Sequence, residues 1–394
     1  MKQIALLGFG TVGGGVAAVL RDNAPQLEQA VGEPVELKYI VEKRDCSGSP
    51  WAERVTDDFS RVESDPEVRV VVECIGGAGI AYQFVKRSLL AGKSVVTSNK
   101  QLVAEKGLEL LAVAREKGVC FLFEASVGGG IPLLRPLTTC LAATRIDAVF
   151  GIVNGTTNYI LTRMLEGADF DAALSEAQGK GYAEADPSDD INGIDALRKA
   201  CILADLSFGS EVPPEKVPAE GIRGVTLADA AFAGKLDCAI KLLAYCRRLE
   251  DDKITAFVAP FLVRREQLLA HVSGVMNAVC VRGSAVGECL FYGPGAGSVP
   301  TASAVAGDIV DALRGDGRRV DAGWGPERPE RFVDPAKLSS RWYVRYTDGC
   351  ATELVDRCVS DNGECAGITR PMTLPELEEN FRGMELLSRF RLLD

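Results

Sequence analysis

Polar and apolar positions alternate along the first third of the chain on two different periods. Residues 3–7 (QIALL), Val35–Val41, RVVVECIGG (69–77) and SVVTSNK (94–100) are short, almost continuous apolar runs. Between them, Val16, Val19 and Leu20, then residues 80–91 and 101–117, repeat their apolar positions at helical spacing. Unbroken apolar runs of this length suit strands buried on both faces, and their alternation with helices predicts a parallel sheet covered on each side.

Between the first strand and the first helix stands Gly8-Phe9-Gly10-Thr11-Val12-Gly13. In that place GxGxxG predicts a dinucleotide site: Gly8 turns the chain, Gly10 lets the backbone approach a pyrophosphate, and Gly13 lets helix and strand touch. The helix N-terminus beside Thr11 and Val12 offers N–H groups to the anion. At the end of the second strand Glu42 occupies the position that binds the ribose hydroxyls of NAD. Lys43 and Arg44 follow and suit the additional phosphate of NADP. NADP and NAD both stay open, with the acidic position leaning slightly to NAD.

Composition narrows the classes. The 394 residues are 47% hydrophobic and 25% charged, enough for two or three domains. A net charge of -11 argues against binding nucleic-acid backbones. The apolar start reaches glycine after about seven residues, short of a secretory core, and no run approaches the ~18 residues of a membrane span. A cytoplasmic protein is expected. Twelve cysteines without a CxxC, and a single histidine, His271, argue against a zinc site. Cys46, Cys74, Cys120, Cys140, Cys201 and Cys238 read as small reduced core residues, which also disfavours acyl-thioester chemistry.

Three further stretches concentrate polar groups. TSNK sets Asn99 and Lys100 at the carboxyl edge of a strand; FEASVGGGIPLL ends a strand at Glu124 and enters three glycines; GIVNGTTNYIL passes from strand to helix at Thr156-Thr157-Asn158. Asn99 and Thr157 read equally well as helix caps. KGYAEADPSDDINGIDALRKA (180–200) gathers Glu184, Asp186, Asp189, Asp190 and Asp195 before Arg198 and Lys199. A helix from Asp190 to about Phe208 would put Asp195 and Lys199 on one face, an arrangement equally common in surface ion pairs.

GFGTVG, TSNK, EASVGGGIP, GIVNGTTNYIL, KGYAEADPSDDINGIDALRK and FYGPGAGSVPTASAVAGDI stand in the order in which they occur in homoserine dehydrogenases, and over residues 1–335 the chain resembles that family. The resemblance implies NAD(P)-dependent interconversion of L-aspartate 4-semialdehyde and L-homoserine, in threonine, methionine and isoleucine biosynthesis. It implies Lys199 as proton donor and acceptor, and Lys100 near the reacting oxygen and the nicotinamide. Glu184 and Asp195 would bind substrate, with Asp190 in support; Asp186 and Asp189 read as loop solvation and caps. Glu124 and the carbonyls of Val127, Gly129 and Ile131 would hold Na⁺ or K⁺. Gly295 and Gly297 would return to the nicotinamide, and Asn99 would bind the cofactor.

The domain expectation is an α/β, Rossmann-type parallel-sheet nucleotide domain over 1–140, rejoined by 298–335, and an α+β catalytic and dimerisation domain over 141–297. A short ACT-like tail would cover 338–394, with SRWYVRY as its first strand and ATELVDRCV (351–359) as its first helix. The tail is short for a complete ACT module, so threonine feedback through it is not expected. A homodimer or homotetramer is expected.

Overall fold

The computed structural model describes residues 1–315, 323–347 and 354–394. The chain forms two compact units, each built from separated segments: Met1–Arg145 with Asp205–Pro214 and Gly293–Glu327, and Ile146–Ala204 with Glu215–Tyr292 and Arg328–Asp394.

The first unit is built on a parallel six-stranded sheet. Its strands are β1 (Lys2–Leu7), β2 (Val35–Val41), β3 (Val55–Thr56), β4 (Val68–Glu73), β5 (Ser94–Thr97) and β6 (Phe121–Leu122), in the spatial order β3-β2-β1-β4-β5-β6. β1 pairs with both β2 and β4, so the order in which strands are added reverses at β1, and the glycine turn after it lies where open α/β sheets bind ligands. Helices α1 (Thr11–Asp22), α2 (Ala24–Val31), α3 (Ser60–Ser64), α4 (Gly79–Leu90) and α5 (Lys100–Lys117) connect the strands. Strand β6 stops at Leu122, and Glu124 sits in a 3-10 turn beyond it rather than at the strand's end.

The second unit holds a nine-stranded mixed sheet. Strands β7 (Ile146–Ile152), β8 (Cys238–Arg248), β9 (Ile254–Arg264), β10 (Met276–Gly283) and β11 (Gly287–Pro294) form one end of it, in the order β11-β10-β7-β8-β9. Helices α6 (Gly155–Leu165), α7 (Phe170–Gly179), α8 (Ser188–Ile191), α9 (Ile194–Phe208) and α10 (Leu227–Lys235) fall between β7 and β8 in sequence. The helix expected from Asp190 is two helices. Gly193 takes a φ of 81° between them, a left-handed conformation that glycine adopts at little cost and that interrupts the ladder.

Helix α11 (Ser298–Arg314) belongs to the first unit. Its Ala302, Val305, Ile309 and Leu313 join the core formed by Ile4, Leu6, Val16 and Leu20. The tail forms β12 (Trp342–Thr347), β13 (Val355–Asp361), β14 (Glu364–Thr369), α12 (Leu374–Asn380) and β15 (Leu386–Leu392). It extends the second sheet in the order β9-β15-β12-β14-β13, with β15 parallel to β9 through Arg391 and Leu392. The helix expected over 351–359 is a correction: Val355–Asp361 is a strand, antiparallel to β14, and residues 351–353 lie outside the described residues. Pairing to β14 outweighs the local helical pattern.

The cysteines also depart from expectation. Cys201 and Cys238 are buried, but Cys46, Cys74 and Cys120 are half-buried and Cys140 is exposed; all six are free thiols. His271 is exposed in a short 3-10 turn, its Nε2 on the Arg265 carbonyl. No helix among the described residues is long and apolar enough to cross a membrane.

Candidate active site

In the first unit the glycines are enforced by backbone. A Cβ on Gly13 would stand 2.1 Å from the Gly8 carbonyl oxygen, and Gly8 itself has a φ of 88°. Gly10 caps α1 without a side chain, so the helix N-terminus stays open to an anion. Ser298 Oγ donates to the Thr11 carbonyl at 2.7 Å, bringing Gly297, the N-cap of α11, beside this loop.

Glu42 is tied to the same loop. Its Oε2 accepts from the Phe9 N–H (2.9 Å) and the Arg44 guanidinium (2.7 Å), and its Oε1 from the Lys43 and Arg44 N–H groups (2.9 and 3.1 Å). Arg44 first, then the backbone N–H groups, hold this carboxyl down to about 2 against the opposing effect of burial. Four hydrogen bonds take up the four or so lone-pair positions of a carboxylate. Lys43 and the Arg44 side chain remain exposed.

At the strand ends Glu73, absent from the sequence reading, is fully buried. It accepts from the Ile75 and Gly76 N–H groups (2.7 and 3.1 Å) and from Thr97 Oγ1 (2.5 Å). Asn99 caps α5 through Leu102 N–H and donates to the Gly77 carbonyl at 2.7 Å, so the capping role is realised together with a tie between two loops. Lys100 opens α5, half-buried.

Glu124 is 6% exposed, with Oε1 accepting from Leu133 and Leu134 N–H (2.5 and 2.9 Å) and Oε2 from Arg135 N–H (2.6 Å). Burial pushes this carboxyl up and the three N–H groups oppose it. Three bonds leave about one lone-pair position for a cation. Gly129, with a φ of 55°, lies so close to Gly295 that a Cβ would stand 2.4 Å from its carbonyl oxygen. Were the carbonyls of Val127, Gly129 and Ile131 to join Glu124, the donor set would be all oxygen with one formal charge, a chemistry that suits Na⁺ or K⁺ better than a transition metal.

In the second unit one residue organises the polar cluster. Asn154, at the end of β7, caps α6 through Thr157 N–H. Its amide nitrogen donates to Asp190 Oδ1 (2.7 Å) and Asp195 Oδ2 (2.8 Å). Lys199 Nζ donates to the same Asp195 Oδ2 (2.6 Å) and to the Val153 carbonyl (2.7 Å). Asp195 and Lys199 are 3% and 8% exposed, which rules out the surface ion pair that their spacing alone allowed. Burial, then the Asp195 charge, pushes the Asp190 carboxyl up. The cap at this helix is Asn154 rather than Thr157; GIVN carried the signal, an Asn directly before helical spacing. Glu184 is exposed, and its side chain makes no hydrogen bond or ion pair among the described residues. Asp186 caps Ser188 and Asp189 pairs with Arg198 at 2.6 Å, both outside the buried cluster.

Such an arrangement, a buried amine fixed by a carboxylate and a carbonyl, can move a proton at a defined point. The homoserine dehydrogenase family model matches residues 132–310, and the model of that enzyme's NAD-binding domain matches 8–124. The homoserine dehydrogenase of Pseudomonas aeruginosa is 45% identical over 318 residues, 79% of this chain and 72% of that one. That of Bacillus subtilis is 41% identical over 350 residues, 87% and 80% of the two chains. The crystal structure of a homoserine dehydrogenase from Thiobacillus denitrificans superposes with a TM-score of 0.92 at 36% identity, covering 100% of this chain and 98% of that one. A hyperthermophilic archaeal homoserine dehydrogenase in complex with NADPH superposes with a TM-score of 0.67 at 31% identity, over 79% of this chain and 98% of that one. The chain belongs to the homoserine dehydrogenase family of NAD(P)-dependent oxidoreductases.

Proposed function

We propose that Lys199 takes the hydroxyl proton as L-homoserine is oxidised and returns it as L-aspartate 4-semialdehyde is reduced. The observation that carries this reading is the buried Lys199 amine, held at one point by Asp195 and the Val153 carbonyl. The nicotinamide, when bound, accepts or supplies the hydride. Asp195 and Asp190, both on the Asn154 amide, hold the polar end of the substrate, and Glu184 takes its ammonium from the exposed loop. Lys100 stands at the positive end of α5 in the nucleotide-binding unit and offers a cation there.

Lys199→Ala should lower kcat by about 10²–10⁴, the usual worth of a positioned acid–base group. Nucleotide affinity, followed by fluorescence, should stay unchanged. Turnover within tenfold of the parent would remove Lys199 from the role.

For the cofactor we infer use of both nucleotides with NADP favoured. Glu42 has its acceptor capacity taken by four N–H groups, while Lys43 and Arg44 stay exposed beside the glycine loop, where a 2′-phosphate pairs well with a guanidinium. Na⁺ or K⁺ at Glu124, Val127, Gly129 and Ile131 would have a structural role in fixing the loop against Gly295. The chain would work in the cytoplasm, in threonine, methionine and isoleucine biosynthesis, as a homodimer or homotetramer. Exposed Leu290 and Tyr292 on the edge strand β11 support self-association of the second unit.

A further inference from the structure

We propose that the second unit carries a second ligand site, a cleft that takes a small organic carboxylate and acts on the junction between α8 and α9. The inference goes beyond the catalytic reading, and its binding test is independent of that reading.

The cleft has a volume of about 190 Å³ and opens where β15 departs from β9, with Phe257–Pro260 among its walls. At roughly 30 Å³ of liquid per water it has room for several waters or one small metabolite. Among the described residues, β15 pairs with β9 through Arg391 and Leu392. Earlier along β9, Val258 bonds instead to the segment 218–220: its N–H donates to the Pro218 carbonyl (3.0 Å) and its carbonyl accepts from Glu220 N–H (2.8 Å).

Arg391 supplies the reason for a ligand. It is 6% exposed and lies against the rings of Trp342 and Phe257, at 4.3 and 5.1 Å. Its guanidinium donates to Ser340 Oγ (2.6 Å) and the Pro335 carbonyl (2.7 Å), both neutral. Among the described residues no carboxylate comes within ion-pair distance of it. Burial above all, and then the Arg389 charge, bring this group down to about 10, while Glu220 and Asp334 act weakly from the rim. A buried guanidinium without an anion is costly, and two of its five donors are engaged. Arg389, at the rim, meets Glu220 at 3.5 Å. A carboxylate entering beside Arg391 would supply the close anion that this guanidinium lacks, with planar, paired hydrogen bonds.

One wall of the cleft is bonded to the catalytic cluster's supports. Beyond Glu220, the Ile222 N–H donates to the Ile191 carbonyl at 2.9 Å. Gly221 lies so near that a Cβ would stand 2.0 Å from that oxygen, and Gly193 faces Val258. Ile191 ends α8, which carries Asp190, and Gly193 precedes α9, which carries Asp195 and Lys199. A ligand that draws in Glu220 or Val258 therefore shifts the segment on which the spacing of these carboxylates depends.

Calorimetric titration of the full chain without nucleotide, using acetate, succinate, L-alanine and inorganic phosphate in turn, tests the site. At least one of the three carboxylates should bind with unit stoichiometry and more tightly than phosphate. Binding should weaken at least tenfold in Arg391→Met and in Arg389→Ala, the latter a rim change that leaves the core packing intact. At saturation that carboxylate should change the KM for homoserine at least twofold in the parent and not in Arg389→Ala. Absence of carboxylate binding to the parent, equal or tighter binding of phosphate, or binding retained in both variants would overturn the site. Binding without a change in KM would overturn its action on the junction.

Discussion

At Asn154 a single side chain ends a strand, caps a helix and holds two carboxylates, so its loss should register in two ways. Asn154→Ala should cost about 1 kcal/mol of stability as a lost cap. It should lower kcat more than it raises KM for homoserine, because Asp195 loses the donor that sets its position against Lys199; an effect on stability alone would reduce Asn154 to a cap. Arg44→Ala should cut kcat/KM for NADP⁺ by about tenfold, the order of one lost charge-assisted bond. With NAD⁺ the change should be small; equal losses would mean that Arg44 serves only the loop. Lys241, on β8, is a buried lysine whose acceptors, Asn158 Oδ1 and the Val272 carbonyl, are neutral. Burial brings it down to about 8. Between pH 8 and 10.5 the unfolded chain then binds more protons at this residue than the folded one, so its contribution to stability rises with pH through that window and is least favourable below it. Lys241→Met should flatten the rise in Tm over this range, by an amount of order 3 kcal/mol at most; an unchanged slope would contradict it. Sequence alone distinguished Asp195–Lys199 poorly from a surface pair, because spacing reports a shared face and not its burial. Asn154 was overlooked because its partners lie 36 and 41 positions away.

At the scale of elements, local pattern and tertiary pairing divide the work. The parallel strands and the glycine turn were legible because an apolar run and a steric requirement each leave a mark in the sequence. The break between α8 and α9 was less so: the Asn192-Gly193 pair marks it, yet Ile191 and Ile194 continue the helical spacing across it. Gly193→Ala should cost about 1–2 kcal/mol from the left-handed conformation alone. Val258 Cγ1 at 3.3 Å would have to give way too. The expected readout is a lower Tm together with a raised KM for homoserine; a fall in Tm alone would separate the junction from substrate binding. β13 escaped sequence reading for the opposite reason, since its strand character comes from the partner β14 and its side chains are mostly exposed.

At the scale of the molecule, the tail is built into the second unit. Asp229, with no exposed surface, receives the Arg345 guanidinium at 2.8 Å and Tyr343 Oη at 3.0 Å. Removing the chain from Ser340 onward would take away this carboxylate's cation and uncover the β9 edge, and Arg345→Met would leave the carboxylate buried without its cation, a loss on the order of 3–5 kcal/mol. The truncated chain should therefore lose cooperative unfolding or precipitate, while Arg345→Met alone should fold with a lowered Tm. A truncated form as stable as the parent would show that the tail is only appended. The first unit has its own long-range dependence. Gly15 of α1 lies against Ser298, and Ile309 and Leu313 of α11 complete the core over β1. The nucleotide-binding fold is consequently not portable: a fragment cut out as residues 1–140 would present the glycine loop on an open, greasy helix face, and any chimera that borrows this unit has to bring α11 with it.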